Sequence, residues 1–120
     1  MSAQLGRVII YTKRPEDLAD FYCRHFGFDI RRIEGDRIVE LVAQGAGCNI
    51  LLHPMSPKRK DGQTLVKLVF DVEDVDAYCR DAEKRGLKFG NIHRADGYSF
   101  ANAKDPANNS ISVSSRAFAI

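Results

Sequence analysis

The chain contains an internal repeat. The triplet Tyr-Cys-Arg occurs at 22–24 and again at 78–80. Each copy follows a short run of β-branched and aromatic residues and an acidic pair, and each is followed by a glycine, Gly27 or Gly86. A repeat of this kind indicates one supersecondary unit used twice. A site formed from the two copies would therefore draw on matching positions of each.

The composition predicts one globular domain. The chain has 120 residues, of which 44% are hydrophobic and 28% charged, enough for a single core. The net charge of +2 is too small to indicate a nucleic acid or an anionic membrane as a partner. No apolar run approaches the roughly 18 residues of a membrane span, and the start has no secretory signal, so we expect a cytoplasmic protein. The three cysteines form no CxxC motif, which predicts free, buried thiols.

The first copy predicts a strand, a helix and three further strands. Residues 7–12 favour a strand. The helix is predicted over 15–26, because Pro15 suits a first helical turn and Gly27 suits a helix end. The three strands are predicted near 28–34, 37–43 and 47–53.

A linker is predicted between the copies. Residues 54–63 show no periodicity, so we expect one domain over 1–120 with modules at about 5–53 and 64–116. The linker contains the basic run Lys58-Arg59-Lys60, which is compatible with a nucleic-acid patch. Because no interleaved aromatic residues or second basic cluster accompany it, we favour a solvated loop and no nucleic-acid partner.

The second copy predicts the same order of elements. A strand is expected at 65–71 and a helix at about 73–85, ending at Gly86. Further strands are predicted near 87–92, 98–103 and 109–115. Residues 105–109 (Asp-Pro-Ala-Asn-Asn) predict a turn, because Asp and Asn side chains bond their own backbone. His93 is expected in a loop.

Four of the predicted strands have one apolar face and one mixed face, because alternate residues of a strand point to opposite sides of a sheet. Val8 and Ile10, for example, share the apolar face of the first strand. The apolar faces must be buried, and the two amphipathic helices can cover them. The mixed faces are either solvated or line a polar cavity. They hold Arg7, Ile9, Tyr11, Asn49, Leu51, His53, Lys67, Val69, Asp71, Ser110, Ser112 and Ser114.

Several motifs along the chain resemble those of the vicinal oxygen chelate superfamily. They are Asp20-Phe21-Tyr22 with Phe26-Gly27-Phe28, Asp71-Val72-Glu73-Asp74-Val75, and Asp105-Pro106. This superfamily includes glyoxalase I, bleomycin-resistance proteins, fosfomycin-resistance enzymes and extradiol dioxygenases. The resemblance implies an α+β fold of two βαβββ modules, which form a curved mixed sheet around a cavity. It also implies a homodimer, but it says little about the substrate.

The resemblance implies four strand positions for metal ligands, and these positions carry poor ligands in this chain. They are Arg7, Leu51, Lys67 and Ser112. Arg and Lys are cationic, Leu has no lone pair, and Ser is a weak ligand alone. We therefore expect no metal and no other cofactor. His53 lies two residues beyond Leu51 and is either a displaced ligand, a general base or an ordinary hydrogen-bonding residue.

A binding function is the first hypothesis. Arg7 and Lys67 would put two positive charges in the cavity, which favours a small anionic or oxygen-rich ligand. Tyr11, Asn49 and Ser112 would donate hydrogen bonds to it. Alternatively, the two cations pair with Asp71 or another carboxylate and close the cavity.

A metal-independent lyase or isomerase, acting on a small carbonyl or carboxylate compound, is the second hypothesis. Lys67 would be its acid–base residue, because a nearby Arg7 would favour the neutral amine. Tyr11 and His53 would relay protons. No set of nucleophile, base and orienting residue is visible in the sequence, which favours the binding hypothesis.

Overall fold

The structure is a computed structural model that describes residues 5–63 and 65–119. The chain divides between Asp61 and Gly62 into two compact units. The first contains β1 (Arg7–Thr12), α1 (Pro15–Phe26), β2 (Asp29–Arg32), β3 (Val39–Val42) and β4 (Asn49–Pro54). The second contains β5 (Lys67–Asp71), α2 (Val75–Lys84), β6 (His93–Arg94), β7 (Ser99–Lys104) and β8 (Ser110–Ser114). A short 3-10 helix follows at Arg116–Phe118. The predicted α+β fold with two βαβββ repeats is confirmed.

Each unit has one four-stranded mixed sheet, and the two sheets have the same topology. The strand order is β1-β4-β3-β2 in sheet 1 and β5-β8-β7-β6 in sheet 2. The first strand of each unit pairs in parallel with the last, and the other pairs are antiparallel. The parallel pairing needs a crossover between its two strands, and the helix supplies part of that connection.

Local sequence signals set the ends of α1. Pro15 occupies the first turn, where its missing N–H would have no intrahelical partner. Gly27 ends the helix in the left-handed region at φ 74°, and its N–H donates to the carbonyl of Cys23. The guanidinium of Arg32 on β2 binds both carboxylate oxygens of Glu16 at 2.8 and 2.6 Å. This hydrogen bond holds the pKa of Glu16 below its usual value.

The N-terminus of α2 is capped by a side chain. The Asp74 carboxylate accepts a hydrogen bond from the backbone N–H of Ala77 at 3.0 Å, as is typical of an N-cap residue. The helix therefore begins at Val75 rather than at the predicted residue 73. Val75 and Ala82 are its buried residues, and Tyr78 and Cys79 are half-buried.

The cores lie between each helix and one face of its sheet. In the first unit, Leu18 and Tyr22 of α1 are fully buried. The strand side chains buried in this unit are Ile10, Thr12, Val39, Leu41, Ile50 and Leu52. In the second unit, Ala101, Ile111 and Val113 form the buried face of the sheet. Side chains therefore alternate between a more buried and a more exposed face in β1, β3, β4 and β5, whereas in β8 the helix-distal Ser112 and Ser114 are buried as well. We call the side of each sheet that points away from its own helix the helix-distal face.

The turn at residues 105–109 is confirmed. Asp105 is buried, and its Oδ1 accepts hydrogen bonds from the backbone N–H groups of Ala107 at 2.9 Å and Asn109 at 2.8 Å. Its Oδ2 accepts a third from the Asn109 amide at 2.9 Å. Asn108 has φ 67°, a conformation that Asn tolerates better than most residues. The turn thus holds the end of β7 against the start of β8.

Three predictions require correction. No strand forms at 87–92: the N–H of Leu87 donates to the Ala82 carbonyl and completes the end of α2, and the Gly90 N–H makes a single bond to Asn102 of β7. His93 lies not in a loop but in β6, where its ring stacks on Phe100 at 4.9 Å. The cysteines are free but only half-buried.

Among the described residues, no helix is long and apolar enough to span a membrane.

Candidate functional site

The sequence-predicted site residues fall into two groups, one on the helix-distal face of each sheet. In sheet 1, Arg7 pairs in register with Asn49. Tyr11 and His53 also face each other across the same strand pair. In sheet 2, Lys67 and Asp71 lie at opposite ends of β5, and Ser112 lies on the neighbouring β8.

Arg7 is ion-paired within its own sheet. Its Nε lies 3.4 Å from Oε2 of Glu40 on β3. The same oxygen accepts a hydrogen bond from the Asn49 amide at 2.9 Å, and Asn49 in turn accepts one from the Ala43 N–H. The Glu40 side chain is only 13% exposed and that of Arg7 57%. For Arg7, the structure thus supports the alternative of pairing with another carboxylate.

Sequence reasoning did not identify Glu40 as a site residue. The available signal was the segment 39–42 (Val-Glu-Leu-Val), in which Glu40 alternates with two buried residues, Val39 and Leu41. That alternation places Glu40 on the helix-distal face, in register with Leu51 of β4. Its pairing with Arg7 depends on the position of β4 between β1 and β3, which the sequence does not reveal.

Tyr11 and His53 form an aromatic pair at the end of sheet 1. Their ring centroids are 5.1 Å apart with an interplanar angle of 47°. Nδ1 of His53 lies 2.7 Å from the Pro54 carbonyl oxygen. Because a carbonyl oxygen can only accept, this geometry assigns the proton to Nδ1 and leaves Nε2 of the neutral ring as an acceptor. With Tyr11 57% exposed, the pair offers an accessible aromatic surface beside a proton acceptor.

Lys67 has a neutral partner. Its Nζ donates to Oδ1 of Asn102 on β7 at 2.9 Å. No carboxylate of the described residues forms an ion pair with it. Asp71 lies four residues further along β5, a distance of about 13 Å along the strand. The charge of Lys67 is therefore not balanced in the way that Arg7 is.

Ser112 is buried in the centre of sheet 2. It pairs in register with Val69 on one side and Asn102 on the other. Its Oγ donates to the carbonyl of Val113 at 3.3 Å, a long hydrogen bond. A ligand would have to replace this weak contact in order to use the hydroxyl as a donor.

Two clefts lie in the second unit, away from these residues. A cleft of about 600 Å³ lies at the start of α2 and is lined by Glu73, Asp74, Val75, Asp76, Arg94, Ser99 and Ser115. Arg94 is already engaged there, because it binds both carboxylate oxygens of Asp76 and the Ser99 hydroxyl. A cleft of about 250 Å³ adjoins Cys79. Neither contains a sequence-predicted site residue.

The thiols have raised pKa values. Burial raises the pKa of Cys79, and the carboxylate of Asp76 adds to the effect. Burial also raises the pKa of Cys23, with further contributions from Asp29 and Asp20. A thiol with a raised pKa is a poor nucleophile near neutral pH, so neither residue resembles an activated cysteine.

The side chains at the four strand positions do not fit a divalent cation. Arg7 is a cation bound to Glu40, and Lys67 is a cation bound to Asn102. Leu51 has no donor atom, and the Ser112 hydroxyl is directed at a backbone carbonyl. Within residues 5–63 and 65–119, no group of three or more His, Cys, Asp or Glu residues could hold a metal ion.

Comparison with known proteins defines the class of this one. The family model of the Glyoxalase/Bleomycin resistance protein/Dioxygenase superfamily matches residues 4–113. The chain therefore belongs to this superfamily. No curated protein sequence gives a significant match to the chain.

Solved structures share the fold at low sequence identity. UcmS2 has a TM-score of 0.78 with 20% identity, covering 96% of this chain and 99% of that one. TnmS3, an antibiotic binding protein from Streptomyces sp. CB03234, has a TM-score of 0.76 with 22% identity, covering 93% and 94%. Lactoylglutathione lyase from Agrobacterium tumefaciens has a TM-score of 0.71 with 20% identity, covering 94% and 93%. At these identities the similarity concerns the fold alone.

Proposed function

We propose that the protein binds a small anionic or oxygen-rich molecule at the helix-distal face of sheet 2, without a metal. The observation that carries this proposal is the hydrogen bond of Lys67 to the neutral Asn102, with no ion pair to a described carboxylate. An ammonium group of this kind gains more from an anionic partner than from an amide oxygen, because charge-assisted hydrogen bonds are the stronger class.

Each sheet by itself carries further candidate contacts. On sheet 2 they are Asp71 and Ser112, in addition to Lys67. On sheet 1, Arg7 is a candidate contact, because its guanidinium carries several N–H donors and its side chain is 57% exposed. Tyr11, Asn49 and His53 supply aromatic surface and polar atoms beside it.

A binding role also has a precedent in the fold. TnmS3 is an antibiotic binding protein, and its fold matches that of this chain. Binding requires only a complementary surface, whereas catalysis requires positioned acid–base or nucleophilic groups. The helix-distal faces offer such a surface more clearly than they offer positioned catalytic groups.

A thermal-shift and calorimetric screen of organic anions tests the proposal. We expect at least one anion to raise the melting temperature, and Lys67→Gln to weaken its binding by about tenfold. Lys84→Gln is the matched control, because it removes the same charge from α2 on the other side of sheet 2. If no anion stabilises the protein, or if Lys67→Gln and Arg7→Gln both bind like wild type, the proposal is wrong.

A metal-independent lyase or isomerase is the second candidate, favoured by the His53 tautomer. Nε2 of the neutral ring can accept a proton, and the Tyr11 ring lies beside this imidazole. We would incubate the chelator-treated protein in D₂O with small carbonyl and carboxylate compounds and follow deuterium incorporation by NMR. Catalysed exchange that is lost in His53→Gln would support the candidate. Exchange no faster than in buffer would remove it.

We also propose that the protein is a cytoplasmic homodimer. Large apolar side chains are exposed on the helix-distal faces, among them Ile9, Tyr11 and Val69. Ile9 and Tyr11 are neighbours on one face of β1, and contiguous exposed apolar side chains are typical of association surfaces. Sedimentation equilibrium should give twice the chain mass, and Ile9→Ser with Val69→Ser should shift the equilibrium towards monomer. Cell fractionation tests the location. A monomer at all concentrations would contradict the assembly.

A further inference from the structure

A row of three polar side chains crosses the helix-distal face of sheet 2 at one end. Ser110 on β8 pairs in register with Lys67 on β5 and with Lys104 on β7. Neighbouring strands lie about 4.8 Å apart, so the backbones of the two lysines are separated by about 10 Å. Residues paired in register share a face, so both lysines and Ser110 lie on the same face at this end of the sheet.

Both lysines of this row have neutral partners. Lys67 donates to Asn102, and the Nζ of Lys104 donates to Oγ of Ser110 at 2.8 Å. The ion pairs that the structure describes all involve arginines and lie elsewhere. Asp105 follows Lys104 in the chain, but its carboxylate is buried and bound to the turn. Two positive charges therefore stand near one end of this face, and neither lysine forms an ion pair among the residues that the structure describes.

Ser110 completes the donor set. Its oxygen accepts the hydrogen bond from Lys104, and its own hydrogen remains able to rotate towards a third group. An anion between the two lysines would thus meet two ammonium groups and one hydroxyl donor. The Asn102 amide, now held by Lys67 through its oxygen, can present its N–H₂ hydrogens on the same face.

We propose that Lys67, Ser110 and Lys104 form a subsite for two negative charges of the ligand, as a dianionic phosphate or as a pair of carboxylates. This inference rests on the proposed function and specifies the chemistry of its ligand. A single carboxylate would neutralise only one of the two ammonium groups. Relief of repulsion between like charges therefore favours a doubly charged partner over a monoanion.

NMR titration tests the subsite with three probes. Inorganic phosphate, succinate and acetate are added to ¹⁵N-labelled protein at about pH 8, where phosphate is mainly dianionic. We expect the better of the two dianions to bind about tenfold more tightly than acetate, with shifts at the amides of residues 67, 104 and 110. Tighter binding of phosphate indicates a single dianionic group, and tighter binding of succinate indicates two carboxylates.

Variants separate this subsite from general charge effects. Lys104→Gln should reduce the affinity for the dianion to that for acetate, and Ser110→Ala should reduce it by a smaller factor. Lys84→Gln, with the same change in net charge, should bind like wild type. Circular dichroism and the melting temperature verify that each variant is folded.

The possible failures are distinguishable. Equal affinity for dianions and acetate, or an unchanged affinity in Lys104→Gln, would overturn the subsite while the proposed anion binding stands. An equal loss in Lys84→Gln and Lys104→Gln would also overturn it. If none of the three probes binds, the subsite is wrong, and the broader anion screen decides separately on the proposed function.

Discussion

The Nε of Arg7 lies 3.4 Å from Oε2 of Glu40, so the positive charge at the start of β1 is balanced within its own sheet. Lys67 occupies the corresponding position at the start of β5, but its partner is the neutral Asn102. The two repeats therefore share their topology and differ in their electrostatics. The unbalanced charge lies in the second repeat, which is why the proposed anion subsite is placed there.

Replacing Glu40 should destabilise the protein more than replacing Arg7. Glu40→Ala leaves the Asn49 amide without its acceptor in a largely buried position, so we expect a loss of about 1–3 kcal/mol in the free energy of unfolding. Arg7→Ala removes an exposed partner and should cost no more than about 1 kcal/mol. Urea denaturation followed by circular dichroism measures both.

Glu40→Gln supplies the control for this pair. It preserves an acceptor for Asn49 and removes only the charge, so its cost should be below that of Glu40→Ala. It should also release Arg7 for a ligand and tighten anion binding. Equal stabilities of Glu40→Ala and wild type would contradict the role given to the carboxylate.

Asp105 should be the most sensitive residue of the turn between β7 and β8. Its carboxylate accepts three hydrogen bonds from Ala107 and Asn109 in a buried position. We expect Asp105→Ala to lower the free energy of unfolding by about 2–4 kcal/mol, because the donors lose a charged acceptor. Asp81→Ala, at an exposed position of α2, should change it by less than about 0.5 kcal/mol. Similar values for the two variants would disprove this assignment.

Two glycines allow steric and conformational effects to be separated. Gly62 and Gly35 both lie in the left-handed region, at φ 72° and 83°. A Cβ at Gly62 would lie 2.7 Å from the Asn108 carbonyl oxygen, whereas a Cβ at Gly35 would meet nothing within 4 Å. Gly35→Ala should therefore cost about 1–2 kcal/mol from conformation alone. Gly62→Ala should cost at least about 1 kcal/mol more, because backbone atoms must move. Chemical denaturation of both variants measures the two losses in the free energy of unfolding. Equal losses would refute the close approach of Gly62 to Asn108.

Alkylation should report the raised pKa values of Cys23 and Cys79. The thiolate is the form that reacts with iodoacetamide. Because the pKa of each thiol is raised, modification should be slow at neutral pH. The rate should also continue to increase at alkaline pH, beyond the pH at which the rate for a free thiol levels off. Mass spectrometry of the modified peptides gives the rate at each site. Asp29→Asn should accelerate modification of Cys23, because it removes a nearby negative charge, and should leave Cys79 unchanged. Modification of both sites at the rate of free cysteine would contradict the prediction.

Local signals in the sequence were sufficient for much of the fold. Pro15 and Gly27 predicted the ends of α1, and the residues of the turn at 105–109 predicted its geometry, because these effects act within a few residues. The strand predicted at 87–92 was wrong. Leu87 and Phe89 are both buried and mimic strand alternation, but the first of them completes the end of α2. Alternation of apolar residues in a sequence indicates which side chains are buried. A strand also requires hydrogen bonds to the backbone of a neighbouring strand, and alternation does not supply them.

The sequence by itself determined the repeat, the α+β class, the superfamily resemblance and the faces on which Arg7, Asn49 and Lys67 lie. Only the tertiary structure decided their partners. In sheet 1, β4 lies between β1 and β3, and this order of strands brings Glu40 of β3 within reach of Arg7 of β1. In sheet 2, β8 lies between β5 and β7, and Asn102 of β7 is likewise within reach of Lys67 of β5. Side-chain parity is a local property of a strand, whereas the order of strands in a sheet is set by long-range pairing. The charge balance of the candidate site depends on this order of strands, so only the tertiary structure decided it.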